Sequence, residues 1–315
     1  MTDEKGLPTE TARHYASGYE GTRLFASAHG ELERVRTQEI IARYLPPPPS
    51  RILDVGGAAG AYSVWLLDQG YEVRLIDALP LHAELAARSF EQHSNRQLGS
   101  ARVGDARSLE EPDRSANVVL LMGPLYHLTE RTDRLRALRE AHRVLRPGGI
   151  LFAACISRFA SLLDGLARNL VDDPAFCEIL KVDLESGQHR NPNDHPEYFT
   201  TAFFHRPEEA ELEVAEAGFA LESLFGVEGP AWLLANLADR MCDLARRAQP
   251  SDLLRAIQEE PSQRLYIRHR RRAAAPNQIH VGNVGSTRSP TFSNHRLGEA
   301  VFENQIALGD ECALC

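Results

Sequence analysis

RILDVGGAAG, residues 51–60, decides how this chain is read. Residues 51–55 form an apolar strand pattern with one acid, Asp54, and Gly56, Gly57, Ala58, Ala59 and Gly60 follow at once. Small residues at a strand end let the backbone approach a ligand and take positive φ where the turn requires it. That is the pattern of a nucleotide-binding turn. A dinucleotide site wants G-x-G-x-x-G directly after its strand. Here Gly56 is followed by Ala58 and Ala61, a poor match. Asp54 also disfavours a pyrophosphate, which it would repel, and favours a ligand with a cationic centre.

The pattern outward from this turn is alternation. Upstream, residues 31–45 carry Leu32, Val35, Ile40, Ile41 and Tyr44 near helical spacing, and the run Pro46–Pro49 ends that helix. Downstream, AYSVWLLDQG (61–70) reads as a helix closed by Gly70, EVRLID (72–77) as a strand and LHAELAARSFEQH (81–93) as a helix. ARVGDA (101–106) is a short strand and NVVLLM (117–122) a fully apolar one. The amphipathic helix RTDRLRALREAHRVL (131–145) stops at Arg146-Pro147-Gly148-Gly149, before the strand ILFAACIS (150–157). Continuous apolar strands separated by helices predict an α/β fold with a parallel sheet covered on both faces. Ligands bind such sheets beyond the carboxyl ends of the strands.

The alternation breaks at residues 157–206, where two short helical stretches and the polar loop SGQHRNPNDHPEYFTT suggest a cap inserted over the open end of the sheet. It resumes with RPEEAELEVAEAGF (206–219) as a helix and ALESLFGV (220–227) as a strand. Residues 263–315 carry Arg264, Arg268, Arg270, Arg271, Arg272, Arg288 and Arg296, with no clear apolar period. They are expected to be mostly a disordered tail.

The 315 residues are 43% hydrophobic, enough for one sizeable core. A net charge of −9 argues against general nucleic-acid binding. No apolar run reaches the roughly 20 residues that span a bilayer. The N-terminus, MTDEKGLPTE, lacks the apolar stretch of a signal peptide. Five scattered cysteines suit a reduced, cytoplasmic protein. Cys312 and Cys315 lack the second pair that a zinc site would need. His189, His195 and His205, with Asp194, Glu197 and Tyr198, lack regular ligand spacing, so no metal is expected.

LDVGGAAG, LID with Asp77, GDA with Asp105, NVVLLMGPLYHL and LRPGGILF stand in order over residues 50–156. In this arrangement the chain resembles the class I S-adenosylmethionine (SAM)-dependent methyltransferases. The wording GPLYHL, followed by the Arg-rich helix, is similar to a bacterial small-molecule subgroup. The resemblance implies a doubly wound, mostly parallel seven-stranded sheet (Rossmann-like) with a helical cap insertion. The last strand is the departure: the matching place reads QRLYIRHRRR, with only Leu265, Tyr266 and Ile267 suited to it. Ala58 replaces a family glycine, tolerable if its φ is negative.

The resemblance divides the chain into a helical segment covering the cofactor site (1–45), a SAM-binding domain (46–262) with its cap (157–206), and the tail (263–315). It assigns the donor to Asp54, Gly56, Gly57 and Gly60; to Asp77 and Ala78, with the acid on the ribose hydroxyls; to Asp105 and Ala106, toward the adenine amino group; and to Met122 and Gly123. Tyr15 and Tyr19 would fold over it. Tyr126 would orient an acceptor and His127 take its proton, with His205 and Trp232 as further pocket residues. The expected activity is methyl transfer to O or N of a small molecule by a monomer or homodimer, without nucleic-acid or membrane partners. The alternatives are an RNA or protein methyltransferase, which would need a basic face, and a SAM-binding regulator without turnover.

Overall fold

The computed structural model describes residues 20–193, 195, 197–234, 236–242, 244–260 and 267–273. Two helices lead in: α1 (Glu20–Ala26) and α2 (Ala28–Ala42). Ser27 caps α2 by accepting a hydrogen bond from Gly30 N at 3.1 Å. There follow β1 (Arg51–Val55), α3 (Ala61–Asp68), β2 (Glu72–Asp77), α4 (Pro80–Glu91), β3 (Gly99–Val103) and β4 (Ala116–Leu121). After β4 comes a single turn of helix, α5 (Pro124–His127), where the sequence reads as loop, then α6 (Arg131–Val144) and β5 (Leu145–Ala154).

Strands β3, β2, β1, β4 and β5 lie side by side in that order, all parallel. The order reverses between β1 and β4, so the chain leaves the sheet in opposite directions there and opens a crevice at the strands' carboxyl ends. The side chains alternate as a pleated sheet demands. Leu53, Val55, Val119, Leu121 and Leu151 pack one face against Leu138 and Ala141 of α6. Ile52, Val73, Leu75, Val118, Leu120 and Phe152 pack the other against Leu66, Leu67, Ala86 and Phe90 of α3 and α4. Burial on both faces explains why these strands are apolar throughout.

Between Ala154 and Pro207 the chain builds a separate piece. It contains β6 (Ile156–Ser157), α7 (Ala160–Ala167), α8 (Pro174–Ser186), β7 (Gln188–His189) and β8 (Ala202–His205). The three short strands form their own sheet in the order β6-β8-β7. Phe176, Leu180 and Tyr198 make a small core of its own. The segment is therefore not purely helical: β7 forms inside the stretch read as a polar loop, and β8, just after it, lies between two partners that pair its backbone groups.

The chain returns through α9 (Pro207–Glu216) and β9 (Phe219–Gly226), a short turn at Gly229–Leu233, α10 (Leu237–Cys242) and α11 (Leu244–Ile257). The last described element is β10 (Ile267–Ala273), which pairs antiparallel with β5 on one side and β9 on the other. The sheet thus has seven strands, in the order β3-β2-β1-β4-β5-β10-β9. This corrects the expectation of a disordered tail for residues 267–273. Both β5 and β9 offer a row of backbone donors and acceptors, and main-chain pairing satisfies them whatever side chains the strand carries. Residues 274–315, including the Cys312–Cys315 pair, lie outside the described residues.

Candidate active site

The crevice at the β1/β4 switch point is an open cleft. One wall is the turn after β1, with Val55, Gly56 and Ala58. The ends of β2 and β3 supply Asp77, Ala78, Leu79 and His82, then Gly104, Asp105, Ala106 and Arg107. The opposite wall is Gly123, Pro124, Tyr126, His127 and Leu128, after β4. Eight candidates from the sequence therefore meet around one opening: Gly56, Asp77, Ala78, Asp105, Ala106, Gly123, Tyr126 and His127.

The turn after β1 is tight because its walls are close. A Cβ on Gly56, at φ +72°, would stand 2.5 Å from Pro124 Cδ. Such an approach excludes any side chain there. Ala58 adopts φ +49°, so the condition under which its methyl is readily tolerated, a negative φ, is not met. The turn bends through the left-handed region at this position, and the backbone path, not the residue type, sets the angle. The Ala58 N–H then donates to Asp77 Oδ2 at 3.0 Å and ties the turn to the end of β2.

Asp77 is nearly buried and well supplied with donors. Its Oδ1 accepts from Leu79 N at 2.9 Å and lies 3.1 Å from His82 Nδ1. Asp105 is held differently. Arg107 grips its carboxylate, with Nη2 at 2.7 Å from Oδ2 and Nε at 3.0 Å from Oδ1, and reaches Asp133 at 2.8 Å with Nη1. The hydrogen bonds from Arg107, together with its own backbone N–H, occupy both oxygens of Asp105.

Asp54 lies beneath the turn rather than in the cleft. It is fully buried, and Ser63 Oγ donates to its Oδ2 at 2.7 Å. Burial pushes its carboxyl up to about 6; the Ser63 hydrogen bond opposes that shift and the nearby Asp77 charge adds to it. A Cβ on Gly57 would meet that same carboxylate at 2.6 Å, so Gly57 permits the acid to sit under the loop. Gly60, at φ +86°, starts α3, and Met122 packs in the core beside β4.

On the far wall, the rings of Tyr126 and His127 meet edge to face at 4.5 Å, and His127 stacks with Phe199 at 6.3 Å. Phe199 precedes β8, and β8 packs against α5, so the inserted segment touches this wall. His205 belongs to a buried cluster behind it, with Nε2 3.5 Å from Glu213 Oε2. Arg134 completes that cluster. It pairs with Glu213 at 2.6 Å and donates to the carbonyls of Leu128 and Thr129 at 3.0 and 2.8 Å. Burial works to raise the Glu213 carboxyl, yet the bonds from His205 and Arg134 hold it down at about 2. Trp232 lies on the Gly229–Leu233 turn, and its side chain is outside the described residues, as are Tyr15 and Tyr19.

His82, Leu79, Arg107 and Leu128 line the cleft without having stood out in the sequence. His82 and Arg107 had a readable signal. Each falls within five residues of an acid at a strand end, where the chain turns back toward that acid. Among the described residues, no group of His, Cys, Asp and Glu is placed to hold a metal ion.

Residues 52–149 match the family described as "Methyltransferase domain". An uncharacterized methyltransferase from Mycobacterium tuberculosis is 32% identical over 130 residues, covering 40% of this chain and 49% of that protein. The malonyl-[acyl-carrier protein] O-methyltransferase of Methylococcus capsulatus is 34% identical over 139 residues, covering 43% of this chain and 46% of that protein. The chain thus spans about half the length of these curated relatives. In overall fold it is similar to the CcbJ methyltransferase from Streptomyces caelestis, at 16% identity and a TM-score of 0.50, over 77% of this chain and 95% of that one. The switch-point cleft lies within residues 52–149, the stretch that matches the methyltransferase domain, and over that stretch the chain is similar to these methyltransferases.

Proposed function

We propose that the protein transfers a methyl group from SAM to an oxygen or nitrogen of a small-molecule acceptor, by in-line displacement. The observation that carries this reading is the cleft at the switch point. There, backbone bare of side chains and two carboxylates, Asp77 and Asp105, face one opening across from Tyr126 and His127. These residues suit SAM. Carboxylates accept from the ribose hydroxyls and the adenine amino group. Two acids against one guanidinium, which is itself held by Asp105 and Asp133, give the opening an acidic balance that favours a cationic ligand. The unpartnered buried oxygen of Asp54, Oδ1, adds negative potential beneath the turn.

SAM, when bound, supplies a methyl group on a sulfonium that is already a good leaving group. The chain's task is then alignment and exclusion of water. Gly123 and Pro124 bring backbone to the reacting edge, and Tyr126 orients the acceptor. The His127 imidazole takes a proton when a hydroxyl or ammonium must lose one. The segment 157–206 acts as the cap that encloses the acceptor, through Phe199 and β8. A net charge of −9 favours a small acceptor over RNA. The name of the Methylococcus relative describes transfer to oxygen, in line with the acceptor atoms proposed.

Calorimetric titration with S-adenosylhomocysteine, with NADH in parallel and Asp77→Ala as control, tests the donor. Binding of the homocysteine compound alone, lost in the variant, is expected. Binding of NADH instead overturns the reading. For the acceptor, radiolabelled SAM is incubated with a total cell extract and the label is fractionated. Recovery in small molecules is expected, whereas label confined to protein or RNA overturns the small-acceptor assignment.

A further inference from the structure

We infer that His82 is a positioning residue for the donor site: its Nδ1–H fixes the Asp77 carboxylate in the orientation that receives the ligand's hydroxyls. The inference rests on the SAM-binding reading above. His82 is 3% exposed, yet it lines the cleft floor, one turn into α4. Its Nδ1 stands 3.1 Å from Asp77 Oδ1. That oxygen already accepts from Leu79 N, and Oδ2 accepts from Ala58 N. Backbone N–H groups donate to both oxygens of Asp77, so the carboxylate accepts here and the imidazole nitrogen facing it donates.

Two backbone donors alone would hold the carboxylate only through the turns that carry them. Leu79 lies two residues along the same loop, and Ala58 sits on the turn the ligand must approach. His82 supplies a third point from the first turn of a packed helix, where Ala83, Ala86 and Phe90 are buried. A polar ring in this place is costly to bury unless it is hydrogen-bonded, which makes an apolar residue the default for the position. The imidazole also directs its donor at Oδ1, whereas Oδ2 accepts from Ala58 N.

The test compares wild type, His82→Leu and His82→Asn by calorimetric titration with S-adenosylhomocysteine, with a thermal melt of each ligand-free protein. The asparagine amide places a donor near the position of Nδ1. Removing a hydrogen bond to a charged group is expected to weaken binding by about tenfold to a hundredfold in His82→Leu. His82→Asn is expected to recover most of it, with similar melting temperatures for the two variants. In an Asp77→Asn background, His82→Leu is expected to have little further effect. Equal affinities for wild type and His82→Leu overturn the inference. So does an affinity loss that asparagine does not rescue. Failure of the wild type itself to bind the homocysteine compound overturns the donor reading, and this inference with it.

Discussion

At the scale of single residues, the cleft carries costs that a fold selected for stability alone would avoid. Ala58 sits at φ +49°, where its Cβ crowds the backbone. Replacing it with glycine is expected to stabilise the protein by about 1 kcal/mol. A thermal melt would read this as a rise of roughly 2–4 °C. No rise, or a fall, would mean that the methyl makes a contact worth as much as the strain. Asp54 is the second cost. Its carboxyl is raised from 3.8 to about 6 by burial. Between these two values the folded protein holds a proton that the unfolded chain has released. Stability contributed by Asp54 is therefore greatest below about 4, falls as pH rises through the window, and is flat above it. Asp54→Asn is expected to remove this slope in denaturant titrations at pH 4, 5 and 6. An unchanged slope would assign it to other groups.

At the scale of elements, most helices and strands near the first turn were legible because their signals are local. Gly70, at φ +85°, follows α3 as its sequence position suggests. The lead-in helix ends at Ala42, before Pro46, and β1, β2 and β4 sit where their apolar runs are, whereas the strand expected over 150–157 runs from Leu145 to Ala154. The signal failed where pairing is decided by the partner. β10 has no apolar alternation, yet it lies between two strands and completes the ladder of both. Proline in such a place removes a donor from the ladder and cannot be accommodated as it can at an edge. Arg268→Pro is expected to cost about 3 kcal/mol or more, seen as lost soluble yield or an early denaturant midpoint. A variant as stable as wild type would show that β10 contributes little to the fold. The β6-β8-β7 sheet escaped notice for the same reason.

At the scale of the whole molecule, an ion pair held by a buried arginine joins the inserted segment to the sheet domain. Arg158 is 2% exposed. It donates to Phe204 O at 2.8 Å and grips Glu209 of α9 at 2.6 and 2.7 Å. Removing Arg158 leaves Glu209 partly solvated, at 37% exposure, and the Phe204 carbonyl without its donor, at a cost of about 1–3 kcal/mol. Much of that cost is expected to fall on the inserted segment. Arg158→Ala should therefore become sensitive to limited proteolysis within residues 157–206 while S-adenosylhomocysteine still binds. Loss of both at once would mean that segment and sheet domain unfold as one unit.

The sequence by itself determined the parallel sheet, its switch-point turn, and the acids at the ends of β2 and β3. Burial on both faces writes continuous apolar runs, and a turn pressed against a ligand excludes large side chains, so both leave marks a reader can follow in one dimension. Tertiary structure alone decided which of those residues meet. Asp54 went beneath the turn, where Ser63 of the next helix donates to it, and His205 into the Arg134–Glu213 cluster, where Glu213 of the next helix faces it. His82 and Arg107 came to the cleft by holding Asp77 and Asp105. Position along the chain records what a residue is next to, whereas the orientation of a carboxylate depends on donors that only the packed helices and loops bring to it.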